Sequence, residues 1–415
     1  MLEKGARVVV DVGPVAHGGH CVARHEGQVL FVRHALPGER VEAVVTEVGR
    51  KGRWVRADAV GVVEPSPDRV EPPCPHAGPG RCGGCDWQHA ALPAQRALKA
   101  AVLREQLARL GGVDEIGGVP LEDAVGVEAV PGDRDGLAWR TRVRYAVDAS
   151  GSAGFRRHRS HVVETVGRCP VVTDEVHAIG VTGEQWPGAD AVSAVASSGG
   201  DRAVVVDPAS LATTLPREIN VPGLRGRGWV REQAAGRDWR VRADGFWQVH
   251  PGAAGALVDA VREALDPQPG ETLLDLYCGV GLFAGALAPL LDGARVDAVE
   301  AGIEACADAR RNLHDLPQVR IHADDVARWL RRPDAPDSAD LVVLDPPRSG
   351  AGTDVMDAVL DRAPRAIAYV ACDPAALGRD VGHARAAGWR LASVRGFDLF
   401  PMTHHLEAVA LLVPA

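Results

Sequence analysis

A cysteine that closes an apolar run is a candidate nucleophile when carboxylates close the neighbouring runs. Cys372 stands in Ala371-Cys372-Asp373-Pro374, directly after the apolar run 366–371. Asp345-Pro346-Pro347-Arg348 follows a second apolar run. Asp275-Leu276-Tyr277-Cys278-Gly279-Val280-Gly281 ends a third and opens a helix. In an open α/β sheet such run ends gather at one edge, where ligands bind. Asp373-Pro374-Ala375 can start a helix, since proline is tolerated in the first turn. A thiol beside a helix N-terminus is expected to have a lowered pKa, from about 8.5 toward neutrality. Glu407, in His404-His405-Leu406-Glu407, begins the last apolar run and is a candidate base.

A thiolate, a base and a methyl donor in one crevice can alkylate a pyrimidine. Uracil C5 is a poor nucleophile. Thiolate attack on C6 makes an enolate whose C5 can take a methyl group, and removal of the C5 proton then lets the thiol leave. Gly279 and Gly281 follow the run 273–277 and allow close backbone approach to a ligand. Glu300 ends the next run, roughly 20 residues on, where an acidic residue can accept both ribose hydroxyls of an adenosine. A dinucleotide fingerprint calls for a third glycine, but position 284 is Ala284. The pattern therefore fits S-adenosylmethionine better than NAD.

These residues need a scaffold. Plausible strands at 273–277, 295–299, 319–322, 340–344, 366–371, 389–396 and 406–413, with helical stretches filling most of the gaps, predict a doubly wound sheet from about residue 250 onward. Residues 1–62 read as short strands (Val8 to Val10, Val29 to Val32, Val41 to Val48, Trp54 to Val63) between glycine turns, as in a small β-barrel. Prolines at 65, 67, 72 and 73 mark a linker. Residues 92–110 carry leucines spaced for one helical face. Residues 138–240 alternate strand-like runs with turns, and the glycine- and serine-rich stretch 184–202 reads as a loop.

A second group of residues suggests metal. Cys74, Cys82 and Cys85 fall in a Pro/Gly-rich loop, with Cys169-Pro170 far downstream. Four thiolates suit either tetrahedral zinc or a [4Fe–4S] cluster, and spacing alone does not choose. Cys21 and Cys306 read as small hydrophobes.

Composition sets outer bounds. The chain has 415 residues, 46% apolar and 24% charged, and a formal net charge of −9. That charge argues against nonspecific coating of nucleic acid, but a local basic groove is compatible with it. Residues 139–168 supply one, with Arg140, Arg142, Arg144, Arg156, Arg157, Arg159 and Arg168 against only Asp148 and Glu164. No basic-then-apolar leader and no apolar run near the ~20 residues of a membrane span is present. A cytoplasmic monomer that does not meet a membrane is the default expectation.

Taken together, the residues resemble the bacterial RNA 5-methyluridine methyltransferases, in the branch that carries an iron–sulfur cluster, over nearly the whole chain. Residues 1–62 resemble the TRAM domain, an OB-like RNA-binding barrel. Cys82-Gly83-Gly84-Cys85-Asp86-Trp87-Gln88-His89 is similar to the family's cluster loop, and Phe246-Trp247-Gln248-Val249 to the segment entering its catalytic domain. The resemblance implies a TRAM barrel (1–62), a central α+β iron–sulfur domain (63–245) and a Rossmann-like class I methyltransferase domain (246–415). It implies a [4Fe–4S] cluster on Cys74, Cys82, Cys85 and Cys169, with Cys372 as nucleophile and Glu407 as base. It places Gln248, Tyr277, Gly279, Gly281, Leu282, Glu300, Asp324 and Asp345 around S-adenosylmethionine. Leu282 and His250 replace asparagines common in the family. The implied reaction is methylation of C5 of a uridine, in 23S ribosomal RNA rather than the T-loop of tRNA because of the cluster loop. A cytosine-C5 RNA methyltransferase and a noncatalytic, metal-braced RNA-binding protein are the alternatives.

Overall fold

The computed structural model describes residues 2–208 and 228–415. Part of the stretch expected to alternate strands, 209–227, lies outside the described residues.

Five strands, Arg7–Val15 (β1), Cys21–His25 (β2), Gln28–Arg33 (β3), Arg40–Val48 (β4) and Trp54–Glu64 (β5), close a barrel in the order β1-β2-β3-β5-β4. Valines alternate inward along β1, so Val8, Val10, Val12 and Val15 fill the barrel while the residues between them face out. Strand β2 is not evident from sequence. It is five residues long between Gly18-Gly19 and Gly27, too short to show a period. Cys21 is buried in the barrel and donates to the Ala35 carbonyl at 3.3 Å, the small-hydrophobe role expected of it.

Helix α1 (Leu92–Arg109) starts with Pro93 in its first turn. A small hairpin follows, Glu115–Ile116 (β6) and Val119–Pro120 (β7), then Leu121–Ala124 (α2) and Val127–Ala129 (β8). Leu103, Leu107, Val113, Ile116, Leu121 and Val125 belong to the same apolar core as the C-terminal sheet. Residues 92–129, grouped by sequence with the central segment, thus pack on the catalytic side of the molecule.

The central sheet has the order β11-β10-β9-β12-β13, built from Arg142–Val147 (β9), Ala153–Arg156 (β10), Val163–Glu164 (β11), Ala189–Ala196 (β12) and Arg202–Pro208 (β13). The short helix Asp174–His177 (α3) packs beside it. Strand β12 corrects the loop expected over 184–202. Its alanines and valines bury both faces between β9 and β13, which erases the alternation a half-exposed strand would show. Glycine and serine mark only the turn after it, where Gly200 donates to the Ser197 carbonyl at 3.0 Å. A hairpin, Trp229–Ala234 (β14) and Arg237–Arg242 (β15), leads to helix α4 (Ala253–Leu265).

The remainder is the doubly wound sheet: Leu273–Leu276 (β16), Leu282–Leu287 (α5), Val296–Glu300 (β17), Ile303–Asn312 (α6), Val319–Ala323 (β18), Val326–Leu330 (α7), Leu341–Leu344 (β19), Thr353–Leu360 (α8), Ala366–Ala371 (β20), Pro374–Ala386 (α9), Trp389–Asp398 (β21) and Glu407–Pro414 (β22). Strand order is β18-β17-β16-β19-β20-β22-β21-β8. Strands β18 through β20 run parallel, and β22 returns antiparallel between β20 and β21. Every residue of β16, β19 and β20 is buried, as a parallel sheet covered on both faces requires. Among the described residues no helix is long and apolar enough to cross a membrane.

One buried ion pair ties α1 to the end of β21. Lys99 Nζ lies 2.5 Å from Asp398 Oδ1, with both side chains within 1% of full burial, and also donates to the Phe400 carbonyl at 3.0 Å. Removing one partner of such a pair strands the other charge out of water. Lys99→Ala is expected to lower unfolding free energy by about 3–5 kcal/mol. Urea denaturation checks this, and a loss under about 1 kcal/mol, the value of a surface pair, would show that the contact does not hold the two elements together.

Candidate active site

The C-terminal edge of the sheet gathers most of the residues expected at the site. Strands β16, β17 and β19 end level with one another, because Leu276 registers with Val299 on one side and Leu344 on the other. Tyr277, Glu300 and Asp345 therefore follow side by side. Strand β22 runs the other way, with Ala371 opposite Ala408. One further step of that ladder sets Cys372 against Glu407. An antiparallel return is what brings the first residue of one strand to the last residue of its neighbour.

Cys372 precedes α9, and Asp373 caps that helix, accepting from the Ala376 amide at 2.8 Å. The lowered thiol pKa expected from the helix end is not found. Burial pushes Cys372 up to about 11, the charge of Glu407 adds to that, and Arg348 opposes it. Desolvation and neighbouring carboxylates outweigh the helix end. Glu407 is itself buried, and that burial holds its carboxyl well above the usual carboxylate range. Asp345 beside it acts in the same direction and Arg348 against it.

The cavity at Cys372 draws on three parts of the chain. His17, Gly18 and Gly19 come from the β1–β2 loop of the barrel, Trp87 from the cysteine loop, and Arg348, Asp373, His404 and His405 from the catalytic domain. His17 Nε2 lies 3.1 Å from Asp373 Oδ2. That hydrogen bond raises the pKa of His17, so the barrel and the loop after β20 are joined by a titrating contact. Sequence reasoning missed His17, Asp86 and His404. The pair Gly18-Gly19 between two strands was the available signal, since a Cβ on Gly19 would lie 2.6 Å from the His404 Cβ.

Next to this cavity lies the expected donor crevice. Gly279 and Gly281 both have positive φ, 56° and 92°, and Gly281 caps α5. Asp275 is fully buried and accepts from the Ala284 amide at 2.8 Å, leaving its Oδ1 without a partner among the described residues. Burial raises Asp275 and Asp345 to about 7 each; the charge of Glu300 reinforces both rises, and that of Asp275 adds to the rise at Asp345. Glu300 accepts from the amides of Gly279 at 3.1 Å and Gly302 at 2.6 Å. Tyr277 sits half-buried with φ of 66°. Two expected members stand apart in their side chains. Leu282 is packed in the apolar core, and the Asp324 carboxylate is paired with Arg328 and with Arg332, the latter at 3.2 Å. Gln248 is half-buried in the segment after β15. Sequence reasoning gave no role to Ile303 or to the Phe246 side chain, which are 75% and 76% exposed. Arg242 and Glu304, at 3.3 Å, join the elements that carry them. Ile303 opens α6 three residues after Glu300, and exposed apolar side chains of this kind suit the face of a flat ring.

Cys74, Cys82, Cys85 and Cys169, distant in sequence, line one cavity with Phe155, Val166 and Val171. Burial raises the thiols of Cys82, Cys85 and Cys169, the last to about 11. Among the described residues, no group of three or more His, Cys, Asp or Glu side chains is arranged to hold a metal ion. The donor set and its apolar lining are nevertheless of the kind that soft iron–sulfur centres use. Cys306 is buried and donates to the Glu300 carbonyl at 3.2 Å, in keeping with a packing role.

This fold and strand-edge site define a class I methyltransferase joined to a closed barrel. Residues 2–60 match the TRAM domain, 253–369 the methyltransferase small domain, and 334–414 the tRNA (uracil-5-)-methyltransferase family. An uncharacterized RNA methyltransferase of Streptomyces avermitilis is 50% identical, with 99% of each chain covered. The 23S rRNA (uracil(1939)-C(5))-methyltransferase RlmD of Alkalilimnicola ehrlichii is 33% identical over 97% of this chain and 95% of its own. The crystal structure of Pyrococcus abyssi tRNA (uracil-54, C5)-methyltransferase, in complex with S-adenosyl-L-homocysteine, shares the fold at TM-score 0.69 and 22% identity, covering 97% of this chain and 99% of that one. The chain belongs to the RNA (uracil-C5)-methyltransferase family.

The raised thiol pKa has a direct readout. Below its pKa, the thiolate fraction of Cys372 grows roughly tenfold per pH unit. Alkylation of Cys372 by iodoacetamide, followed by peptide mass spectrometry, is expected to climb in that way from pH 7 to 10 without levelling. A plateau near pH 8 would show a thiolate already stabilised in the free protein.

Proposed function

We propose that this chain methylates C5 of a uridine in 23S ribosomal RNA through a covalent bond between Cys372 Sγ and C6 of the base. The reading is supported by the β20–β22 register, which brings Cys372 and Glu407 opposite each other at one edge of the sheet. The choice of 23S RNA is supported by the relative of that name at 33% identity.

S-adenosylmethionine supplies an electrophilic methyl group. Asp275, Glu300, Asp345, Gln248, Tyr277 and the Gly279–Gly281 turn are the residues proposed to bind it, with Phe246 and Ile303 as apolar faces for its adenine. The buried Asp275 and Asp345 favour a cationic ligand, since each is costly to ionise alone. Cys372 Sγ gives its proton to solvent, its thiolate favoured by the Arg348 charge, then bonds to C6 as the C5–C6 π electrons move into the ring to form the enolate. C5 accepts the methyl group. Glu407 then removes the C5 proton, the C6–S bond breaks and the thiolate is restored. A carboxylate with a raised pKa is the stronger base for that proton.

Cys74, Cys82, Cys85 and Cys169 are proposed to hold a [4Fe–4S] cluster. Methyl transfer moves no net electrons, so its role is to brace the central domain. Protein purified without oxygen is expected to be brown, with broad absorption near ~400 nm and about four irons per chain, as such clusters show. Cys169→Ala is expected to lose most of that iron. A colourless protein with one zinc per chain would overturn the cluster.

The reaction is tested by incubating the protein with labelled donor and RNA, then digesting to nucleosides. The expected product is 5-methyluridine, mapped to 23S RNA. Appearance of 5-methylcytidine alone, or of label confined to tRNA, would overturn the substrate. Cys372→Ala is expected to reduce turnover more than about 10³-fold, as loss of a covalent nucleophile does. Glu407→Gln is expected to accumulate a protein–RNA adduct on denaturing gels.

A further inference from the structure

Glu407 is presented by the loop 399–406, and that loop is held by residues about 300 positions away. The Met402 carbonyl accepts from the amides of Asp86 at 2.9 Å and Trp87 at 3.0 Å. The Met402 amide donates to Gln95 Oε1 at 2.8 Å. The Asp86 carboxylate stands between two parts of the molecule. Its Oδ2 accepts from the His404 amide at 3.2 Å and meets His404 Nδ1 at 2.6 Å, while its Oδ1 lies 3.3 Å from Arg33 of the barrel. Trp87 Nε1 donates to the Gly19 carbonyl at 3.1 Å, and Gly19 in turn abuts His404. His404 is thus clamped between the cysteine loop and the barrel loop, three residues before Glu407.

We propose that Asp86 is a positioning residue for methyl transfer: by fixing His404 against the barrel, it sets the loop that aims Glu407 at the base bound beside Cys372. The role rests on the covalent reading above. It goes beyond general bracing because Asp86 touches the base-bearing loop at both a backbone amide and a ring, and joins it to the barrel through Arg33. The side-chain partners of Asp86 are Arg33 and His404 rather than the residues proposed to bind the methyl donor, so donor binding is expected not to depend on it.

The test compares Asp86→Ala and Asp86→Asn in the full, anaerobically purified protein. Asp86→Ala is expected to lower kcat by about 10- to 100-fold, the scale of a small misplacement of a reacting group. KM for RNA should change less than about threefold and the Kd for S-adenosylhomocysteine less than about twofold, since uniform binding is untouched. The protein–RNA adduct at Cys372 should persist longer than in wild type, because proton removal is the step that slows. Asp86→Asn keeps an acceptor for His404 and should recover most of kcat. His404→Ala, which removes the other half of the contact, should lower kcat similarly, and the double variant should lose no more than the worse single one. If Asp86→Ala does not fold, the asparagine and His404→Ala proteins carry the same comparison. Unchanged kcat in both alanine variants, or a loss confined to KM, would overturn the role. Absence of any adduct in wild type would overturn the covalent reading itself and the positioning role with it.

Discussion

The antiparallel seating of β22 against β20 is the constraint on which the site depends. A purely parallel sheet offers only strand C-termini at its ligand edge. Inserting one reversed strand adds a single N-terminal residue to that edge, and here it is Glu407. A slip of one residue would turn Glu407 to the opposite face of the sheet and carry its apolar neighbours with it. Register is therefore enforced by the core itself, since Ala408, Val409, Ala410 and Leu412 are all buried.

The same edge is electrostatically unbalanced. Burial raises Asp275, Asp345 and Glu407; Glu300 adds to the rise at Asp275 and Asp345, Asp275 to that at Asp345, and Asp345 to that at Glu407, while Arg348 is the cation that opposes the rise at Glu407 and Cys372. Protein interiors tolerate such clusters when a ligand completes them. A sulfonium donor on one side and an electron-rich base intermediate on the other would divide the edge into a carboxylate-lined half and an arginine-lined half.

Much of the catalytic domain was legible because strands such as β19 and β20 are uninterrupted apolar runs and its glycine turn has a conformational requirement. Cys372 and Glu407 could be found since both stand where such runs begin or end. The thiol's pKa could not, because a sequence displays a helix start but not the burial around it. Strand 189–196 was read as loop because two-sided burial with alanine leaves no alternation. His17, Asp86 and His404 were missed for another reason, the Gly18-Gly19 pair being the one local hint. Each acts through a partner on another domain, and no local pattern encodes contacts spanning more than three hundred residues. The four cysteines line one cavity, but among the described residues no group of side chains is arranged to hold a metal there.

Strand β22 is the last strand in chain order yet lies inside its sheet, between β20 and β21. During synthesis the growing chain can complete the barrel early, but the catalytic sheet is left with a gap between β20 and β21 until residues 407–414 emerge. Until then the flanking strands expose unpaired amides and carbonyls, which invite pairing with other chains. Competence thus arrives in one late step, as the final strand slides into a slot already shaped to receive it.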